Sequence, residues 1–349
     1  KRQVANVHSP CCGPLVAGGI ACAPRLVKWQ LCYCAVTGYS RAMPTKLHTP
    51  YDGSVKPFTI GLGALAPVDW IEIDDDLVQH LAEKDRLLGE RHDDVFQAED
   101  DTRDAQREVL EALLDYLPGR YPEIYETGQG MVTVRPANTS YQIADFDARP
   151  PELAARLVQE DLVLMRNCDG QHRLVAAALC FPSGWSLKEK FGRAMADVHG
   201  PVPAFGPGSR NARLIERIFS NLKPGQPVER HNWSLFDEPR LYYPGTDHAG
   251  KSLVDETGHI NAWVRIERQT LSKLALSGDV LFTIKICNDP LQVLKSHADG
   301  AALAASMRKQ IEDLDGQQLD YKKLTDVHRE IRRELTLIEK THCPVSATV

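Results

Sequence analysis

The amino-acid sequence predicts an α+β domain built on an antiparallel sheet with flanking helices. Three observations carry this reading. Helical patterning comes in blocks before, between and after two strand pairs, each pair is closed by a turn signal, and no strand–helix–strand alternation runs through the chain. Nucleotide-binding folds fall away with it, because there is no GxxxxGK[ST] loop and Gly61-Leu62-Gly63 lacks the rest of a dinucleotide fingerprint.

The elements follow in order. Residues 45–68 read as extended, with Pro57 and Pro67 spacing out Phe58, Ile60, Leu62 and Leu65. Asp74 to Asp76 put carboxylates at the start of a helix carrying Leu77, Leu81, Leu87 and Leu88, where the helix dipole favours negative charge. A second helix starts at Thr102, shows Val109, Leu110, Leu113, Leu114 and Leu117 at helical spacing, and is expected to stop at Pro118-Gly119. Pro150-Pro151 opens a third. Asp161–Arg166 and Gln171–Phe181 then read as a hairpin turning at Asn167-Cys168-Asp169-Gly170. A helix is expected over Trp185–Gly200, with His199 at its end, and another over Ser209–Leu222, with Leu214, Ile215, Ile218 and Phe219 as its buried stripe. Trp263–Leu271 alternates polar and apolar, and Ser277-Gly278-Asp279 turns it into Val280–Cys287, a second and longer hairpin. Ala301–Leu314 and Thr325–Lys340 are helical and heavily charged.

Composition narrows the function classes. With 349 residues, 43% hydrophobic and 25% charged, the chain can bury a large core without disulfide or metal staples. Its longest early apolar run, Leu15–Ala23, is too short to span a bilayer, which needs about 20 residues. Residues 69–115 carry seventeen Asp or Glu against five Lys or Arg, a balance that repels a phosphate backbone, so neither nucleic acid nor membrane is expected as a partner. Residues 1–44 differ from the rest. They hold Cys11, Cys12, Cys22, Cys32 and Cys34 and five basic residues with no acidic one, and Met43-Pro44 precedes the first domain-like patterning. They are expected to be a non-domain extension of a cytoplasmic protein. Organelle targeting is the lesser alternative, since the stretch is poor in Ser and lacks an amphipathic stripe. The expected organisation is therefore an extension over 1–44, a domain over 45–300 and a charged helical tail over 301–349.

Familiar catalytic patterns are absent: no GxSxG, HExxH, HxE with PCxxC, or CxxC pair occurs. His199, Cys180 and the polar face of the 263–271 strand are what remain to carry chemistry. Taken alone, His199 reads more readily as a helix-end residue, where imidazole is favoured by the dipole, than as a ligand.

Several long motifs change that balance. Cys180-Phe-Pro-Ser-Gly-Trp185, Glu189-Lys-Phe-Gly-Arg193, Val198-His-Gly-Pro-Val-Pro203, Asn232-Trp-Ser-Leu235 and Arg265-Ile-Glu-Arg-Gln-Thr-Leu271, followed by Val280-Leu-Phe-Thr-Ile-Lys285, resemble the haem-dependent oxidative N-demethylase alpha-subunit family over about residues 58–300. The resemblance implies a PAS-like antiparallel sheet with flanking helices binding haem b. It also implies oxidation of a small secondary amine such as dimethylamine by dioxygen, releasing formaldehyde. Electrons would come from NADPH through a reductase partner carrying FMN and a [2Fe–2S] cluster, since the dispersed body cysteines offer no cluster site. Within this reading His199 is the expected iron ligand, with Cys180 its rival as a thiolate. Arg193, Arg265 and Arg268 are candidates for the haem propionates. Trp185 and Trp233 are candidate walls, and Glu267 is the candidate anchor for the cationic amine, although from the residues alone the counter-ion of its arginine neighbours is the slightly favoured reading. A non-catalytic haem or small-ligand sensor is the alternative, because fold does not fix function.

Overall fold

Both expected hairpins lie in one seven-stranded sheet. The computed structural model describes residues 47–245, 253–255, 258 and 260–341, so the stretch 1–44, with Cys32 and Cys34, lies outside the described residues. Strand β1 (Gly63–Ala64) precedes helix α1 (Leu77–Glu90), the single turn α2 (His92–Val95), strand β2 (Phe96–Ala98) and helix α3 (Arg103–Arg120). A three-stranded meander, β3 (Tyr125–Gly128), β4 (Met131–Val134) and β5 (Thr139–Gln142), leads to α4 (Pro150–Leu157). The first hairpin follows as β6 (Asp161–Cys168) and β7 (Gln171–Ala178). Two single turns, α5 (Leu187–Lys190) and α6 (Met195–Val198), and helix α7 (Arg210–Asn221) lie between it and strand β8 (Val228–Phe236). The long hairpin β9 (Trp263–Lys273) and β10 (Val280–Pro290) is followed by α8 (Gly300–Glu312), α9 (Gly316–Tyr321) and α10 (His328–Thr341).

The sheet order is β1-β8-β9-β10-β6-β7-β2, with every neighbouring pair antiparallel. Local chemistry explains the turns. Asp169 and Gly170 both have positive φ, 54° and 84°, which is the geometry a two-residue hairpin needs, and Asn167 Oδ1 accepts the Gly170 N–H at 3.0 Å. Helix α1 buries Leu77, Leu81, Leu87 and Leu88, the expected stripe. Helix α7 is capped by Ser209, whose hydroxyl accepts the Ala212 N–H at 3.0 Å.

Three expectations need correction. Helix α3 runs through Pro118 to Arg120, where Tyr121 N–H closes on Leu117 O at 2.8 Å; Pro118 removes one N–H donor, a loss confined to the last turn. The single helix expected over Trp185–Gly200 is two turns, because the edge of β7 competes for its backbone: Gly192 N–H donates to Leu174 O and Leu174 N–H donates to Arg193 O. Gly192, at φ 75°, makes that excursion possible. Strand β8 and the β3–β5 meander were not anticipated.

Side chains separate onto the two faces of the sheet by the period-two rule. Asn232, Glu267 and Ile286 stand in one cross-strand row, while His231, Arg268 and Lys285 form the adjacent row on the opposite face. One core cluster includes Ile284, Ile286, Leu174, Phe181, Met195, Phe205 and Phe219. The second joins Trp233, Leu235, Val264 and Ile266 to Leu303, Met307, Ile331 and Leu335, so α8 and α10 contribute buried side chains despite their charge. No helix among the described residues is long and apolar enough to cross a membrane.

Candidate functional site

His199 caps the short α6, and its own backbone position fixes its ring. The His199 N–H donates to Met195 O at 3.0 Å, and ring Nδ1 lies 3.1 Å from the same carbonyl oxygen, which can only accept. Nδ1 therefore carries the proton and Nε2 presents its lone pair; among the described residues Nε2 makes no hydrogen bond. Burial lowers the imidazole pKa to about 4, with Arg230 and Lys190 adding to the depression against the Met195 bond, so the ring is neutral at pH 7. A neutral imidazole with one nitrogen tied to a carbonyl and the other open is the donor a haem iron takes.

Phe58, Ile60, Trp185, Phe191, Val202 and Phe282 are all only partly buried, yet all pack against the same core cluster as Met195 and Phe205. The His199 ring itself lies 6.2 Å from that of Phe205. Trp185 packs against that same cluster.

Polar groups gather on the same face of β8 and β9. Glu267 Oε2 accepts from Gln269 Nε2 at 2.8 Å and from Asn232 Nδ2 at 3.4 Å, and among the described residues Oε1 makes no hydrogen bond. Arg230, paired in register with Gln269, donates Nη1 to Gln269 Oε1 at 3.0 Å and Nη2 to Thr59 O at 3.3 Å, while its Nε is buried with no acceptor. Burial lowers the Arg230 pKa, offset by the nearby Glu267 carboxylate. Arg230 therefore senses both Glu267 and His199 and links the two halves of the site. Among the described residues its Nε thus lacks an acceptor, as do those of Arg308 and Arg332, and no sequence motif singled Arg230 out. Recognising β8 as a strand would have found it, since Arg230, Asn232 and Ser234 alternate with His231, Trp233 and Leu235.

Other expected site residues stand elsewhere. Arg265 is 1% exposed and its donors are taken: Nε by Ser183 Oγ at 2.8 Å, Nη1 by Arg240 O at 3.0 Å, and Nη2 by Phe181 O, Pro182 O and Leu241 O at 3.0, 3.2 and 2.9 Å. It ties β9 to two turns of the chain. Arg268 lies on the opposite face and gives its fork to Asp69 O, Trp70 O and Glu229. Neither arginine makes Glu267 its hydrogen-bonded partner. Trp233 is buried in the core cluster behind the sheet, donating Nε1 to Gln310 Oε1 at 3.2 Å, so it does not share a wall with Trp185. The Arg193 side chain is exposed on the loop between α5 and α6. Cys180 is wholly buried, and burial beside Asp161 drives its thiol pKa far up, which keeps it protonated and unsuited to ligate iron.

A second cluster resembles a metal site. Ligand atoms of His48, Glu72 and Cys287 lie within 4.8 Å of one another. Glu72 is already compensated, however: Oε1 pairs with His48 Nε2 at 2.8 Å and Lys285 Nζ at 3.4 Å, and Arg268 stands 3.9 Å away. Burial opposes ionisation there, but the His48 hydrogen bond and the charges of Lys285 and Arg268 outweigh it and lower the Glu72 pKa to about 2. The pocket is neutralised by the protein's own ammonium and guanidinium groups.

The described residues thus offer a neutral imidazole with an open Nε2, partly buried aromatic side chains and a guanidinium nitrogen without an acceptor. Comparison with known families gives a match to the model described as haem-dependent oxidative N-demethylase, alpha subunit-like, over residues 61–332. That span covers β1 through the first residues of α10 and includes every residue of the site except Phe58, Thr59 and Ile60. The chain belongs to the haem-dependent oxidative N-demethylase alpha subunit-like family.

Proposed function

We propose that this chain is the haem-bearing, substrate-oxidising component of an oxidative N-demethylase, acting on a small secondary methylamine of the dimethylamine type. The observation that carries the proposal is His199, a neutral imidazole whose Nδ1 is held by Met195 O and whose Nε2 is open toward no protein partner among the described residues. His199 would ligate the iron of haem b, and Arg230, with its buried Nε lacking an acceptor among the described residues, would hold a propionate. Trp185, Phe191 and Phe282 would pack on the ring edges and exclude water. When bound, the haem supplies dioxygen activation. The strand order counted among the long strands, with β6 and β10 adjacent at the centre and β8 at one side, supports a PAS-like core.

Glu267 supplies the negative charge that a dialkylammonium ion needs on leaving water. Gln269 and Asn232 fix Oε2 and so orient the carboxylate, leaving Oε1 to accept the N–H of the amine. The overall reaction balances as amine, dioxygen, two electrons and two protons giving methylamine, formaldehyde and water. The electrons would come from NADPH through a separate subunit with FMN and [2Fe–2S]. The family description, an alpha subunit, supports a multi-subunit assembly. The test is to load the chain with haem, add a chemical reductant, oxygen and dimethylamine, and assay formaldehyde. Formaldehyde above the haem-only control supports the enzyme; a normal haem spectrum with no formaldehyde favours a sensor.

A further inference from the structure

Helix α7 presents a face whose charge runs against the rest of the molecule. Residues 188–223 carry seven Lys or Arg and three Asp or Glu, a sum of +4 in a chain whose net charge is -6. On α7 itself Arg210, Arg213, Leu214 and Arg217 are all exposed and recur at the spacing of one helix face, about 10 Å long, while Ala212, Ile215 and Phe219 are buried behind them. The only acid of the helix, Glu216, is turned away and accepts from the His172 backbone N–H at 3.1 Å and from its ring.

Two facts separate this strip from an ordinary solvated face. None of its three arginines forms an ion pair among the described residues; Arg213 donates Nη1 to Gly208 O at 2.7 Å and keeps its charge uncompensated. Arg210 and Arg213 also stand at the N-terminal end, where the helix dipole disfavours cations and no acid sits in the first turn. An exposed leucine, 40% accessible, is set among them as an apolar anchor.

We infer that this face docks an acidic electron-transfer protein. The inference rests on the proposed function, which requires reducing equivalents from another protein. The location fits, because α7 packs against α6, the turn that His199 ends, so a partner seated on the strip lies next to the element that would hold the iron. Three uncompensated charges on one face steer an acidic partner and raise its association rate at low ionic strength.

The experiment uses the full chain and an acidic [2Fe–2S] ferredoxin as probe, with binding kinetics followed across ionic strength on haem-free and haem-loaded protein. The charge-reversed variant R210E/R213E/R217E is expected to lose at least tenfold in association rate at low salt and to lose most of the salt dependence. Its circular dichroism should match the parent. The reversal R103E/R107E on α3, two exposed arginines far along the sequence, is expected to leave both unchanged. L214A should speed dissociation several-fold while sparing association. Equal rates for parent and triple variant, no binding of ferredoxin to the parent at low salt, or equal loss with R103E/R107E would overturn the inference. So would tighter binding of the strip to phosphatidylserine vesicles than to ferredoxin. Failure of the chain to take up haem would defeat the proposed function instead, leaving the haem-free binding data to judge this surface.

Discussion

Replacing Arg265 with Met distinguishes an arginine that holds the protein from one that holds the cofactor. The guanidinium makes five hydrogen bonds, to Ser183 Oγ and to the carbonyls of Arg240, Phe181, Pro182 and Leu241, and stacks over the rings of Phe236 and Tyr243 at 5.2 and 5.8 Å. Met keeps the apolar stem but leaves those acceptors without donors. Each buried orphan costs roughly 1–3 kcal/mol, and burying a cation whose pKa is lowered to about 10 already costs the parent something in return. The net is a loss of about 3–5 kcal/mol, on the order of 10 °C in the thermal midpoint of a domain this large. The assay is thermal unfolding with and without haem, together with a haem titration at 15 °C where the variant remains folded. Haem affinity should stay near that of the parent. A variant that melts with the parent yet fails to bind haem would refute this reasoning and return Arg265 to a propionate.

Further outcomes follow from neighbouring groups. Glu267→Gln should leave the haem spectrum unchanged and weaken dimethylammonium binding tenfold to a hundredfold, about 1.4–3 kcal/mol, in a spectral titration at pH 7; unchanged affinity would remove Glu267 from substrate binding. His80 is buried, and desolvation first, with Lys285 and Lys84 adding and Asp74 opposing, lowers its pKa to about 4 from the ordinary 6.5. The unfolded chain therefore takes up the proton first as pH falls, so stability held by neutral His80 is whole above pH 6.5, drains between 6.5 and 4, and is constant below. The gap amounts to about 3 kcal/mol. His80→Gln should flatten that part of the profile in urea midpoints taken from pH 7.5 to 4.5; an unaltered slope would show that other groups carry it.

What the sequence revealed was the part governed by local chemistry. The apolar stripes of α1 and α3, the turn at Asp169-Gly170 and the alternation of β9 depend on neighbours within a few residues, and each was legible; on α7 Ile215 and Phe219 are buried as expected, but Leu214, expected in that stripe, is exposed. Strand β8 was not, because Arg230, Asn232 and Ser234 on the site face break up the apolar signal of Trp233 and Leu235 on the other. Helices α8 and α10 looked like a charged tail because only a narrow stripe, with Leu303, Met307, Ile331 and Leu335, enters the core. The arginines divide for the same reason. That Arg265 and Arg268 would be consumed by carbonyls 24 to 199 positions away could not be read locally, nor could the orphaned Nε of Arg230. His199, Trp185 and Glu267 were singled out through the family motifs rather than by spacing.

The account stands on the open imidazole of His199. Its most direct test is the absorption spectrum of the purified chain titrated with haem, beside His199→Ala and Cys180→Ala. The parent and the cysteine variant should develop the same Soret band at one haem per chain, and the histidine variant should lose that band or shift it to the position of loosely held haem. A histidine variant with the parent's spectrum, or a cysteine variant without it, would contradict the assignment.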